Sequence, residues 1–167
     1  MTKFVDASAM VAYLTREEAH FERIFRQLAN SEGLCTSPLA MWEAAMAVLR
    51  KSYSADVALS YSQARKAVSL FVEDWAISIE QIVEQDFETA LKAHAFYGKG
   101  DLGINDYLRR KGWPEKDIIP ASQARLNMAD CFHYAVAKRL NAGIIFTSPG
   151  EFAYTDLVNS DYKFDGL

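Results

Sequence analysis

The stretch "LNMADCFHYAVAKRLNAGIIFTS", Leu126 to Ser148, decides the fold class. Asn127 suits a helix N-cap, and Asp130, three positions on, resembles a capping box with aspartate in place of glutamate. An amphipathic helix follows, and the apolar run "GIIFT" then reads as a short buried strand. A helix that feeds directly into a buried strand is part of an alternating α/β chain rather than of a bundle or a β-sandwich. One residue is out of keeping with that plan. Asp130 is a lone acid between Ala129 and Cys131, at the start of a helix built for a core.

The same alternation extends back to the N-terminus. Lys3 to Val5 is a short apolar strand that gives way at Asp6 to a small-residue helix over Ala7 to Thr15. "REEAHFERIFRQLANSEG" places Phe21, Ile24, Phe25 and Leu28 on one helical face and ends near Gly33. "GLCTS" is a strand, stopped by Ser37 as N-cap and Pro38 at the first helical position of a helix reaching about Lys51. Further helices are expected over 55–72 and in "EQDFETALKAHAFYG", with a strand at "WAISIE" between them. From 99 to 125 the composition turns polar, which marks an insertion with one short helix, Asn105 to Lys111. Beyond Pro149 and Gly150 the short mixed tail suits a small terminal strand. The whole is expected to be a single α/β domain over 1–167 with a mostly parallel sheet, and sites in such sheets gather beyond the carboxyl ends of the strands.

Bulk composition narrows the function. Half of the 167 residues are hydrophobic and 24% are charged, so the chain folds rather than staying disordered. A net charge of −4 and a pI near 5.4 give no overall attraction to phosphates, so a nucleic-acid partner would need a local basic strip or metal ions. "RRK" at 109–111 and "AKRL" at 137–140 are the basic patches, each more simply a solvated face. Tyr97, Tyr107 and Trp113 either stack on bases or anchor the insertion to the core. Cys35 and Cys131 are distant and read as packed thiols. No run is long enough to span a membrane and no secretion signal opens the chain, so a cytoplasmic protein is expected. There is no GxGxxG, GxxxxGK[ST] or GxSxG motif, and His20, His94 and His133 lack metal-ligand spacing and read as helix surface or packing.

Three isolated acids remain. Asp6 and Asp130 are each suited to cap a helix, and both benefit from its positive N-terminal end. Glu43, in "TSPLAMWEAAMAVLR", lies too far along its helix to cap it and is surrounded by Trp42, Ala44, Ala45 and Met46. A buried unpaired carboxylate costs several kcal/mol, so Glu43 is exposed, protonated, paired with a distant cation or bound to metal. If the three acids converge at about 4 Å, each pair repels by about 4 kcal/mol at an effective dielectric near 20. A divalent cation turns that repulsion into binding, and oxygen-only ligands favour Mg²⁺ or Mn²⁺ over Zn²⁺.

The ordered set "FVDASAMVAYL", "TSPLAMWEAAMAVLR", "LNMADCFHYAVAKRLNAGIIFT" and "GEFAYTDL" resembles the PIN-domain ribonucleases, and within them the VapC-type toxins of bacterial toxin–antitoxin pairs. The resemblance covers most of the chain. It implies a PIN-like three-layer α/β/α sandwich around a parallel sheet, Mg²⁺-dependent RNA cleavage, a cognate antitoxin that blocks the site, and a homodimer. By position it implies Asp6, Glu43 and Asp130 as catalytic metal ligands, with a fourth acid after "GIIFT". There the chain departs from the family: "TSPGEF" is one residue longer than usual and offers Glu151, while Asp156 matches the family's Thr-Asp ending. Both are candidates, and Glu151 is preferred because it is nearer the strand. The 99–125 segment is also longer than the family leads one to expect.

The mechanism implied is metal-assisted phosphodiester hydrolysis, in which the cation activates water and neutralises charge on the phosphate oxygens. Ser8 and Thr147 are placed to orient ligands or water. Two rivals stand beside it. One is a non-cleaving PIN-like module that binds RNA or protein, and the other is a small Mg²⁺-dependent phosphatase.

Overall fold

The computed structural model describes residues 1–55, 57–98, 103–119, 125–147 and 152–158. The chain forms two compact units, Met1–Gln81 with Ala142–Thr147, and Ile82–Asn141 with Ser148–Leu167.

The first unit holds the sheet: β1 Thr2–Val5, β2 Gly33–Thr36, β3 Ser78–Ile79 and β4 Gly143–Ile145, in the order β3-β2-β1-β4. Every pairing is parallel, with Phe4 opposite Cys35 and Ile144, and Val5 opposite Ile145. Short apolar strands buried in a parallel sheet read as continuous hydrophobic runs, as "KFV", "GLCT" and "GII" do. The ladder runs one step past the strands, where Asp6 N–H donates to the Ile145 carbonyl at 3.0 Å. The ends of β1 and β4 therefore emerge side by side.

The helices of this unit are α1 Ala7–Leu14, α2 Phe21–Ala29, α3 Pro38–Ser54 and α4 Tyr61–Asp74. Ser37 caps α3, its hydroxyl accepting from Ala40 N–H at 3.2 Å with Pro38 in the first turn, as the sequence leads one to expect. Three details differ from expectation. α4 begins at Tyr61 rather than 55, because Ser60 and Gln63 form a reciprocal capping box that fixes the start. β3 contracts to two residues. On α2 only Ile24 and Leu28 are buried, while Phe25 lies partly exposed in an aromatic group with Phe21 and Trp75.

The second unit is helical: α5 Glu84–Tyr97, α6 Ile104–Arg110 and α7 Met128–Arg139, with single 3-10 turns at Glu115–Asp117 and Phe152–Tyr154. α6 is the short helix expected inside the polar insertion. It starts after Gly103, where any Cβ would run into the Phe96 carbonyl. Buried Asn105 holds the following segment by donating to the Ile119 carbonyl at 2.7 Å. α5 packs on α7, and the pair is pinned by Asp86, 1% exposed, which accepts from Arg139 Nε at 2.9 Å and from Val83 N–H. α7 ends as Asn141 takes the left-handed conformation at φ 50°, a common way to close a helix. Among the described residues the tail makes a 3-10 turn in place of the expected terminal strand. The fold is α/β, with a four-stranded parallel central sheet flanked by helices.

Candidate functional site

In the first unit, β1 delivers Asp6 to the carboxyl edge of the sheet, where it becomes the N-cap of α1. Its side chain is 4% exposed, and Oδ2 accepts from Ser8 N–H at 2.9 Å and from the Ser8 hydroxyl at 2.5 Å. Ser8 Oγ in turn accepts from Thr147 N–H at 3.2 Å. Asp6, Ser8 and Thr147 thus form one hydrogen-bonded chain across the ends of β1 and β4. Glu43 belongs to the same unit. It sits half-buried on α3, past the turn that Ser37 caps.

In the second unit, Asp130 is 5% exposed and stands in the first turn of α7. The capping box is complete: Asn127 N–H donates to Asp130 Oδ2 at 2.8 Å, and Asn127 Oδ1 accepts from the N–H groups of Ala129 and Asp130. His133 follows one turn later, fully buried, with a ring nitrogen within 4.8 Å of an Asp130 carboxylate oxygen. Full burial agrees with the packing role that the sequence assigns to His133, and the Asp-x-x-His spacing puts its side chain on the same helix face as Asp130. Burial, and then the charge of Asp130, pushes the Cys131 thiol up to about 12, so it is an inert packed thiol.

Asp156 is the centre of a separate polar cluster in this unit. Its carboxylate accepts from the Tyr134 hydroxyl at 2.8 Å and from Lys138 Nζ at 2.6 Å, and its N–H donates to the Tyr97 hydroxyl at 3.4 Å. Burial, reinforced by the Asp156 charge, holds both tyrosines well above the ordinary tyrosine range, so they stay protonated donors. Glu151 lies outside the described residues.

Asp6 and Asp130 supply hard carboxylate oxygens held in fixed orientation by their own segments, a donor type that fits a divalent cation such as Mg²⁺ or Mn²⁺. The His133 imidazole extends the donor set of its helix toward transition metals.

A parallel α/β sheet with an oriented acid at its carboxyl edge, and a second oriented acid at a helix start, are features suited to metal-assisted chemistry on phosphate esters. The PIN domain model matches residues 3–156. A VapC ribonuclease of Rhizobium meliloti (strain 1021) is 32% identical over 160 residues, covering 92% of this chain and 98% of that one. The chain therefore belongs to the PIN domain family and, within it, to the VapC ribonucleases, and it is a nuclease. Among solved structures, Mycobacterium tuberculosis VapC20, described as a sarcin–ricin loop cleaving toxin, superposes with a TM-score of 0.55 at 15% identity. That match covers 89% of this chain and 90% of the other, and it shows the shared fold. PIN nucleases generally work with a divalent metal ion.

Proposed function

We propose that this protein is the toxin of a toxin–antitoxin pair and cleaves RNA by metal-assisted phosphodiester hydrolysis, with Asp6, Glu43 and Asp130 as ligands for Mg²⁺ or Mn²⁺. One observation carries the reading. Along a chain 32% identical to a VapC ribonuclease, Asp6 and Asp130 are buried carboxylates already oriented by hydrogen bonds from their own segments. Buried carboxylates are costly unless compensated, and a divalent cation is the compensation that also serves phosphate chemistry. When bound, such an ion supplies Lewis-acid stabilisation of charge on the phosphate oxygens.

The chain's own residues do the positioning. The Ser8 hydroxyl and N–H fix the rotamer of Asp6, and Thr147 N–H fixes Ser8. Asn127 N–H fixes Asp130, while Glu43 projects from the interior of α3. Glu151 is the fourth acid in this reading, since both oxygens of Asp156 are engaged by Tyr134 and Lys138. The family match runs from residue 3 to 156 and spans both compact units, which supports their acting as one PIN-like domain with 99–125 as an insertion. The partners are RNA and a cognate antitoxin, the assembly a homodimer and the setting the cytoplasm. No helix among the described residues is long and apolar enough to cross a membrane.

The test is cleavage of RNA by the purified protein, lost with EDTA, restored by Mg²⁺, and absent in Asp130→Asn. Binding of RNA without scission would establish the non-cleaving module instead. Turnover of mononucleotides or sugar phosphates with indifference to RNA would establish a phosphatase. Co-purification with the product of an adjacent gene that suppresses cleavage tests the antitoxin.

A further inference from the structure

An acidic protein that handles RNA needs a local concentration of positive charge, and the sequence singles out two basic patches that the structure shows to be engaged. Arg109 pairs with Glu115 and Arg110 with Asp106, while Lys138 pairs with Asp156 and Arg139 with Asp86. A third set is scattered through the sequence and gathered only by the fold. Lys3 of β1 and Arg23 and Arg26 of α2 line one cleft of about 440 Å³, together with Gln27, Asn30 and the edge of β4. No carboxylate lines it among the described residues.

None of these three cations is paired with an acid in the described structure. Arg23 donates from Nη2 to the carbonyls of Phe146 and Thr147, at 3.1 and 3.0 Å, and Arg26 donates to the Glu22 carbonyl at 3.2 Å. Lys3 lies across Gly143, where a Cβ would fall 2.5 Å from its ammonium nitrogen. Three positive groups turned to one cleft repel one another, so an anion is the ligand that resolves the arrangement. Carbonyl contacts through Nη2 hold the guanidinium in place without neutralising it, which leaves Nε and Nη1 as charged donors to a phosphate oxygen.

We propose that this cleft binds backbone phosphates of the RNA strand that flank the cleaved bond. The inference rests on the nuclease reading above and adds a path for the substrate. The path has a physical connection to the reacting end of the sheet. Arg23 holds the Thr147 carbonyl, Thr147 N–H holds Ser8 Oγ, and Ser8 holds Asp6. A strand seated on Arg23 is therefore linked to the Asp6 carboxylate through two residues, Thr147 and Ser8. The amide side chains of Gln27 and Asn30 add neutral donors for phosphate or sugar oxygens.

The experiment measures binding of wild-type protein, with Mg²⁺ present, to a 2′-O-methyl oligouridylate that resists cleavage, over a series of salt concentrations. Each phosphate contact to a single strand contributes a slope of about 0.7 in log K against log salt, or about five-fold in affinity per contact at 0.1 M salt. Lys3→Gln and Arg26→Gln are each expected to lower the slope by about 0.7, Arg26→Lys to restore most of it, and melting temperatures to stay near wild type. Unchanged slopes in folded variants, or no binding by wild type, would overturn the proposal. So would polyglutamate displacing the oligonucleotide at equal charge concentration while depending on the same residues, which would assign the cleft to an acidic protein partner. A parallel cleavage assay on unmodified RNA separates the two claims. Wild type that binds through Lys3 and Arg26 without cutting leaves the cleft standing and removes the nuclease mechanism, and a protein that cuts with unaltered slopes does the reverse.

Discussion

Asp156→Asn separates a structural acid from a metal ligand. In the folded protein both carboxylate oxygens are used, one by the Tyr134 hydroxyl at 2.8 Å and the other by Lys138 Nζ at 2.6 Å, and the side chain is 5% exposed. Asparagine keeps the volume and an acceptor for Tyr134 but removes the charge facing Lys138. Breaking a fully buried ion pair costs about 3–5 kcal/mol, and a hydrogen bond to a charged group is worth about 1.5–3 kcal/mol. Lys138 is 27% exposed, so water recovers part of the loss. A destabilisation of about 2 kcal/mol follows, and for a chain of this length it lowers the melting temperature by about 4–8 °C. The Mg²⁺ concentration giving half-maximal RNA cleavage is expected to stay at the wild-type value. Calorimetry and a Mg²⁺ titration of cleavage, run beside Glu151→Gln, read both quantities. An unchanged melting temperature with a ten-fold or greater rise in the Mg²⁺ requirement of Asp156→Asn would refute the reasoning and make Asp156 the fourth ligand.

Asp130→Asn is expected to retain an N-terminal capping group and the fold and to abolish cleavage in a purified-protein assay; cleavage at the wild-type rate would make Asp130 a cap alone. With Glu43 as a third metal ligand, Glu43→Gln is expected to relieve repulsion among metal-free carboxylates, so calorimetry without metal should show a higher melting temperature and a smaller gain on adding Mg²⁺. A marked loss of metal-free stability would instead place Glu43 in a buried ion pair. Ser8→Ala removes the hydroxyl that links Asp6 to Thr147 and should weaken Mg²⁺-dependent activity by about 10–100-fold, the usual range for a group that orients a ligand. Tyr97 and Tyr134 keep their protons in the folded state above the point, near pH 10, where unfolded tyrosines ionise. The folded chain then binds more protons than the unfolded one, so stability falls as pH rises past about 10. Tyr97→Phe should flatten that fall in an alkaline denaturation series.

Features fixed by local chemistry were the legible ones. Ser37 with Pro38, and Asn127 with Asp130, write the starts of α3 and α7 into four or fewer residues, and both were read correctly. The start of α4 was misplaced because alanine at 55 is a good helix former, whereas the Ser60–Gln63 box is worth more than propensity alone. What depended on distant contacts stayed hidden. Asp156 takes its role from Tyr134 and Lys138, 22 and 18 residues earlier, and nothing in "YTDL" announces them. The basic runs "RRK" and "AKRL" drew notice because their charges are adjacent in sequence, yet each faces acids in space. Lys3, Arg23 and Arg26 went unnoticed because only the packing of α2 beside β4 assembles them.

The sequence set two readings of Asp6 and Asp130 against each other, helix cap or metal ligand, and the geometry makes them compatible. In both residues the contacts with the local segment fall on Oδ2: Ser8 N–H and hydroxyl at Asp6, Asn127 N–H at Asp130. A carboxylate has two oxygens and about four lone-pair sites, so a cap of this kind takes up a fraction of its capacity while fixing the rotamer of the whole group. Ligands whose rotamers are fixed in advance lose less entropy when an ion binds, and the positive end of a helix lowers the cost of keeping the charge until it does. A cap is thus an economical way to build a ligand from a residue the helix already requires. Glu43 stands past the turn that Ser37 caps, so it is no part of the α3 cap. For that reason its substitution tests the metal assignment most directly: no cap is lost with the charge, and any change in stability or Mg²⁺ response belongs to the carboxylate itself.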